Sequence, residues 1–296
     1  SSAASDVYKR QTTNNADAQG LIFGKWCPVS SDFEAANFPV GFEGGNSGVC
    51  PSQNLAEAFD MATGEPFDWN DESMRSRMFV ASARDPRFAR TLIYNGATFK
   101  GQPVQSYVGG RNGRPLDGAT PTSYYLRKHI VEATSFVTGS EMSYQHIFPF
   151  FRYAEVLLNY AEALAAATQN PDFTGMKGEV EYTLSPREAL NAVRARYNMP
   201  GITETDYAAF VKRLRNERRV ELAFEGHRFW DIRRWKIGAE TTKVYGLTIT
   251  PQNDGSFSYM RSVIQQRGWE DRMNFYPIAD AELFKNHNLV QNDGWK

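Results

Sequence analysis

The chain has 296 residues with 41% hydrophobic and 23% charged side chains, which suffices for one large domain or two ordinary ones without disulfide or metal staples. A formal net charge of −1 excludes a global electrostatic grip on nucleic acid or anionic lipid, and no run of about 18 apolar residues exists to span a bilayer. Aromatic content of 14% exceeds what a core needs and points to rings on binding surfaces.

Residues 1–20 are polar, lack an initiator Met and any apolar periodicity, and read as a disordered leader or a truncation point, so the chain is expected to be the back part of a longer protein. The domain proper is expected over 21–296. From Leu21 to about Gly64, Gly, Pro, Ser and Asn mix with aromatics, which predicts ordered loops instead of regular elements. Leu55, Ala58, Phe59 and Ala62 have helical spacing, so a short helix is predicted over 54–62, with Ser52 or Asn54 as cap and Gly64 as stop. An Asp85-Pro86 turn leads into an apolar run ending at Asn95-Gly96, a pair that favours a type I′ turn, and predicts a small hairpin over 89–100. The segment GGRNGRPLDG is turn-dense, and YYLRKHIVEA at 124–133 leaves strand and helix both open.

Helical signals dominate after residue 148. Over 152–167, Tyr153, Leu157, Tyr160 and Leu164 form one stripe, and Glu155, Asn159 and Glu162 another. A second helix over 186–197 opens with Ser185 as cap, Pro186 at the first position and Glu188 at the third, and stops at Asn198–Gly201. A third, over 206–225, carries Phe210, Val211, Leu214, Leu222 and Phe224 toward Gly226. HRFWDIRRWKIG adds a short helix closed by Gly238; residues 240–275 read as loop that can hold short strands, before a short helix from about Ala279 and an aromatic-tipped tail. No repeat of fixed period is visible, although the helix pairs resemble a degenerate helical hairpin array.

The stretch ERRVELAFEGHRFWDIRRW at 217–235 holds nine charged and four aromatic side chains in nineteen positions. On a helix, Arg213, Glu217, Glu221 and Glu225 share one edge, with arginines three or four positions away. A glycosidase needs two carboxylates in different environments, about 5–9.5 Å apart, and carboxylates shadowed by Arg make poor acids. Four acids interleaved with five arginines also cancel the field a phosphate backbone requires. Glu217, Arg218, Glu221, Glu225, Arg228, Asp231 and Arg234 are therefore assigned to a structural network, with Arg228–Asp231 and Trp230–Arg234 as local pairs.

No metal or cofactor is expected: His129, His146, His227 and His287 stand apart without ligand spacing, and no phosphate-cradling loop or nucleophile elbow occurs. Cys27 and Cys50 either close a disulfide around the aromatic loop between them or remain thiols; the disulfide is the preferred reading. Aromatics in loops are the other conspicuous feature: Trp26, Phe33, Phe38, Phe42, Phe67, Trp69, Tyr107, Trp269 and Trp295. A single loop ring tucks inward over a core as often as not, but two or three facing out together would make a platform for sugar rings, and Trp26, Phe42 and Trp69 are the candidates.

Six segments in order resemble the C-terminal domain of the SusD/RagB family: CPSQNLAEAFDMATGEPFDW, ARDPRFARTLIYNG, SYYLRKHI, FPFFRYAEVLLNYAEAL, ERRVELAFEGHRFWDIRRW and NFYPIADAELFKNHNLVQNDGW. The resemblance runs from about residue 21 to the end, and no stretch resembles the family's N-terminal half. It implies a mainly α, SusD-like helical fold with tetratricopeptide-like helix pairs, long ordered loops and a small β-hairpin. It also implies a non-catalytic outer-membrane lipoprotein, on the extracellular face of Bacteroidetes-type bacteria, that captures oligosaccharides or sometimes peptides. Such a protein would serve a SusC-like TonB-dependent transporter, and its only tie to the membrane would be a lipid anchor in an N-terminal part. Ligand residues in the family follow no portable motif, so none is transferred. A piece lacking its other half is expected to expose apolar helix faces and to be poorly soluble alone. The alternatives are a carbohydrate-active hydrolase using paired carboxylates and a purely structural scaffold.

Overall fold

A computed structural model describes residues 20–295; the leader expected over 1–20 thus lies, apart from Gly20, outside the described residues. Strand β1 (Leu21–Ser30) is followed by α1 (Asp32–Asn37), α2 (Gln53–Ala56), α3 (Glu72–Ser76), α4 (Pro86–Thr91), β2 (Leu92–Ile93), β3 (Thr98–Phe99), β4 (Gln102–Pro103) and β5 (Tyr125–Leu126). Next come β6 (Tyr144–Arg152), α5 (Tyr153–Thr168), β7 (Gly175–Lys177), β8 (Val180–Tyr182), α6 (Pro186–Ala195), α7 (Tyr207–Glu221) and α8 (His227–Arg234), then β9 (Lys243–Pro251), β10 (Phe257–Gln266) and α9 (Asp280–Lys285). Helix makes up 32% and strand 20%, so the mainly α expectation gives way to a mixed chain with several two-stranded ribbons.

The largest departures from the sequence reading are strands. Residues 21–30, expected as loop, pair antiparallel with β6 from Leu21↔Arg152 to Ser30↔Tyr144, with bulges that absorb the irregular sequence. Gly24 allows the close approach, since a Cβ there would lie 3.0 Å from the Ile147 side chain and the Phe148 carbonyl. Residues 243–266, where only short strands were expected within loop, form a long hairpin of β9 and β10. The hairpin expected over 89–100 is displaced. Asn95-Gly96 makes only a tight turn, with Ala97 N–H donating to the Tyr94 carbonyl at 3.0 Å, while β3 and β4 pair around Lys100-Gly101. Both Lys100 and Gly101 have positive φ, 46° and 75°, as a type I′ turn demands. The helix expected over 54–62 shortens to α2, capped by Ser52, because the chain leaves at Asp60 to bury that carboxylate and to bridge Met61 with Arg84. Cys27 and Cys50 are free thiols, which overturns the disulfide: β1 carries Cys27 along β6, and Cys50 Sγ turns to the Ser47 carbonyl at 3.2 Å.

The three long helices start where caps and periodicity place them, though α7 ends at Glu221, short of the expected 225. Ser185 and Glu188 make a reciprocal capping box on α6, and Asp206 accepts from Ala209 N–H at 2.8 Å to start α7. The chain then reverses into α8 through Phe224 and Gly226, both at positive φ. Two apolar cores result. One gathers Phe38, Phe59, Phe88, Phe99, Leu92 and Tyr125 from the loops and short strands; the other packs Ala161 and Leu158 of α5 against Leu190 and Val193 of α6 and Phe210 and Leu214 of α7. Helix α7 borders both, because Val220 belongs to the first core while Phe210 and Leu214 belong to the second. Among the described residues no helix is long and apolar enough to cross a membrane.

Candidate functional site

Along the seam between the cores, α7 and the turn after it present Glu217, Glu221 and Glu225, each almost fully buried. Arg87 of α4 donates to Glu217, to Glu221 at 3.1 Å and to Asp85 at 2.6 Å. Arg194 of α6 reaches Glu217 at 2.7 Å and Asp60 at 3.0 Å, and Arg213 joins Asp60 at 2.9 Å. Arg152 holds Glu221 at 2.9 Å and Glu225 at 2.7 Å, and Lys128 closes on Glu225. The partners therefore come from distant elements and not, as the helical spacing suggested, from arginines one turn away. Burial alone would push Glu225 up, but Lys128 and Arg152 outweigh it and hold the carboxyl at about 2; Glu221 is lowered in the same way by Arg152, Arg87 and Lys128. These groups stay ionised at neutral pH and have no proton to give.

A second cluster joins Arg218 to Asp231 at 2.9 Å and to Asn159 at 2.6 Å, and Arg234 to Asp231 at 2.8 Å and Glu162 at 2.6 Å. Two of the anticipated local pairs do not form. Asp231 is taken by Arg218 and Arg234, leaving Arg228 to face a cavity, and Arg234 stacks over Trp235 at 4.5 Å instead of Trp230. Trp230 is 59% exposed and sits against Phe229 and Tyr276. Among the described residues no group of three metal-ligating side chains comes together.

The structure separates Trp26, Phe42 and Trp69, with no ring contact between any two of them. Trp26 lies 45% exposed on β1 opposite Ile147. Phe42 leans on the first core, edge-on to Phe99 at 5.0 Å, with Arg111 over its ring at 5.2 Å. Trp69 alone lines a cleft, of about 370 Å³, between the start of α3 and strand β10. Its position is fixed locally: Asp71 caps α3 by accepting from Ser73 N–H at 2.8 Å and Met74 N–H at 3.1 Å, and Arg75 Nη1 donates to the Trp69 carbonyl at 3.0 Å.

The opposite wall is Phe257, Ser258 and Tyr259, with Glu72, Arg75 and Ser76 along the rim. Phe257 is braced by Tyr107 at 5.2 Å and Tyr259 by Phe79 at 5.8 Å. Sequence reasoning passed over this wall because 240–275 read as loop, although Phe257, Tyr259 and Arg261 alternate with a strand's period of two. Three aromatic rings with a carboxylate, a guanidinium and hydroxyls around them suit stacking on a sugar face and hydrogen bonds to its hydroxyls. Glu72 is the single carboxylate in the lining, so the cleft lacks the second one a glycosidase uses.

Comparison with known proteins adds an independent line. The sequence model of the SusD family matches residues 7–295. SusD-like protein P2 of Formosa agariphila is 33% identical over 146 residues, which is 48% of this chain and 24% of that protein. A crystal structure of a SusD-like protein from Bacteroides fragilis superposes with a TM-score of 0.77 at 26% identity, covering 99% of this chain and 57% of that one. A SusD-like carbohydrate binding protein from the same organism gives 0.68 at 28% identity, covering 92% and 54%. The chain thus spans little more than half the length of these solved relatives and matches about a quarter of the curated one.

Proposed function

Because the chain belongs to the SusD family, we propose that it is part of a non-catalytic, cell-surface glycan-binding protein whose Trp69 cleft takes up an oligosaccharide. The observation that carries this reading is the cleft itself, with Trp69 facing Phe257 and Tyr259 across a space rimmed by Glu72, Arg75 and Ser76. One of the solved relatives is described as a carbohydrate binding protein, which supports the ligand class. The finer reading places the protein on the extracellular face of the outer membrane, lipid-anchored through an N-terminal part, with the helices α5, α6 and α7 as the remainder of a tetratricopeptide-like body. From there it delivers ligand to a SusC-like TonB-dependent transporter.

The hydrolase alternative is disfavoured by the proton inventory: the shifted carboxylates, among them Glu162, Glu221 and Glu225, move down, whereas a general acid must move up. Stacking with hydroxyl hydrogen bonds in a shallow cleft gives affinity of about micromolar to millimolar, because hydroxyls surrender water before binding. Native electrophoresis through polysaccharide-containing gels tests the reading. A retarded band that loses its shift in Trp69→Ala supports it; an unchanged shift in that variant, or release of reducing sugar by the wild type, overturns it.

A further inference from the structure

The helices that carry the ion network also form a wall of a cavity of about 720 Å³, which opens between α7, α8 and the base of the β9–β10 hairpin. Arg219 and Arg228 both line it. The other arginines of α7 are matched inside the protein: Arg213 with Asp60, Arg218 with Asp231, and Arg215 stacked over Trp235 at 5.0 Å. Among the described residues Arg219 and Arg228 have neither a hydrogen bond nor an ion pair to the protein. Lys243 and Arg267 add two further cations to the lining, against one carboxylate, the exposed Glu240. A chain with a net charge of −1 thus concentrates four cations around one opening.

Leaving a half-buried guanidinium unmatched is costly, and here a like charge adds to the cost. Burial and the neighbouring charge of Arg228 pull Arg219 down to about 9, far below the arginine range. A ligand that brings an oxyanion into this space removes that cost and meets a planar donor fork made for carboxylate or sulfate. Phe224, Phe229 and Ile232 give the wall an apolar face that can hold the body of a ring, and Asn54, Thr122 and Gln265 add polar groups for its hydroxyls. The volume lies within the ordinary range of small-molecule sites, about 300–1,000 Å³.

We propose that this cavity, built around Arg219 and Arg228, binds an acidic sugar through its carboxylate or sulfate group. That the anion is carried on a sugar rests on the carbohydrate reading above; that an anion is required rests on the cavity alone. The site is separate from the Trp69 cleft, with which it shares no lining residue.

Isothermal titration of the full chain with trigalacturonate, with its methyl ester and with a sulfated carrageenan tetrasaccharide tests the assignment. The acid is expected to bind at least tenfold tighter than its neutral ester, and the one of the two anions that binds in an Arg219-dependent way identifies the oxyanion. Arg219→Gln should weaken that anion at least tenfold, Arg228→Gln by a smaller factor, and Trp69→Ala should leave it unchanged. Equal affinity for acid and ester, no binding of either anion, or binding that survives both arginine variants overturns the proposal. The acid-against-ester comparison uses only the wild type and so decides even if a variant fails to fold. Failure of the two readings can be told apart: neutral polysaccharide binding that still depends on Trp69, without any anion binding, sinks this inference alone, while anion binding without Trp69 dependence sinks the cleft alone.

Discussion

Replacing Glu221 by Ala removes one of five carboxylates that balance five cations in the seam between the cores. Glu221 is 1% exposed; Arg152 at 2.9 Å and the Tyr197 hydroxyl at 3.3 Å meet one oxygen, and Arg87 at 3.1 Å meets the other. Stranding a buried charge by deleting its partner costs about 3–5 kcal/mol. Here Arg87 keeps Asp85 and Glu217, and Arg152 keeps Glu225, so the loss belongs at the low end, about 3 kcal/mol. At about 2–4 °C per kcal/mol for chains of this size, the melting temperature should fall by roughly 6–12 °C. Thermal scans followed by circular dichroism at neutral pH measure it, with Glu282→Ala as the control because the Glu282–Lys285 pair is exposed on both sides. Ligand affinity of the protein that stays folded should be unchanged. A melting temperature as high as that of the control, or loss of glycan binding without destabilisation, would refute the architectural role of this residue.

Acid should dismantle the same seam. Glu225 sits at about 2 in the folded chain against an ordinary 4.5, so its contribution, on the order of 3 kcal/mol, is complete above about 4.5 and is lost as the pH falls toward 2; a melting temperature that stays level from pH 5 to pH 2.5 would contradict this. Ser185→Ala removes the hydroxyl that caps α6 and one of the two donors to Glu188, the backbone N–H remaining, and should cost about 1 kcal/mol and a few degrees, read by the same scans. Thiol titration in guanidinium without reductant should find Cys27 and Cys50 both reactive; no reactive thiol would restore the disulfide that the geometry rejects.

The helices were legible because their signals are local: Ser185, Pro186 and Glu188 lie within four residues, and the stripe of Tyr153, Leu157 and Leu164 repeats within one segment. Strands were not, because their reasons lie elsewhere in the chain. LIFGKWCPVS contains Gly and Pro and reads as loop until β6, more than a hundred residues away, supplies a partner, with bulges in both strands to accommodate them. The ion network was half legible. Its carboxylates stand out at helical spacing, but Arg87, Lys128, Arg152 and Arg194 belong to four separate segments and nothing in their surroundings marks them as mates. Trp69 could be singled out as an aromatic among polar residues, whereas Phe257 and Tyr259 needed the hairpin to bring them across from it.

The three glutamates of the seam are gripped from both sides at once, by Arg87 and Lys128 next to one core and by Arg152 and Arg194 next to the other. Parting the cores would leave each with charges that only the other can neutralise. Sliding one past the other by a helical turn would leave at least one of the three without its cation. Apolar surfaces tolerate partial separation, whereas these buried charges do not, so the ribbon-and-loop half and the helical half are expected to open together.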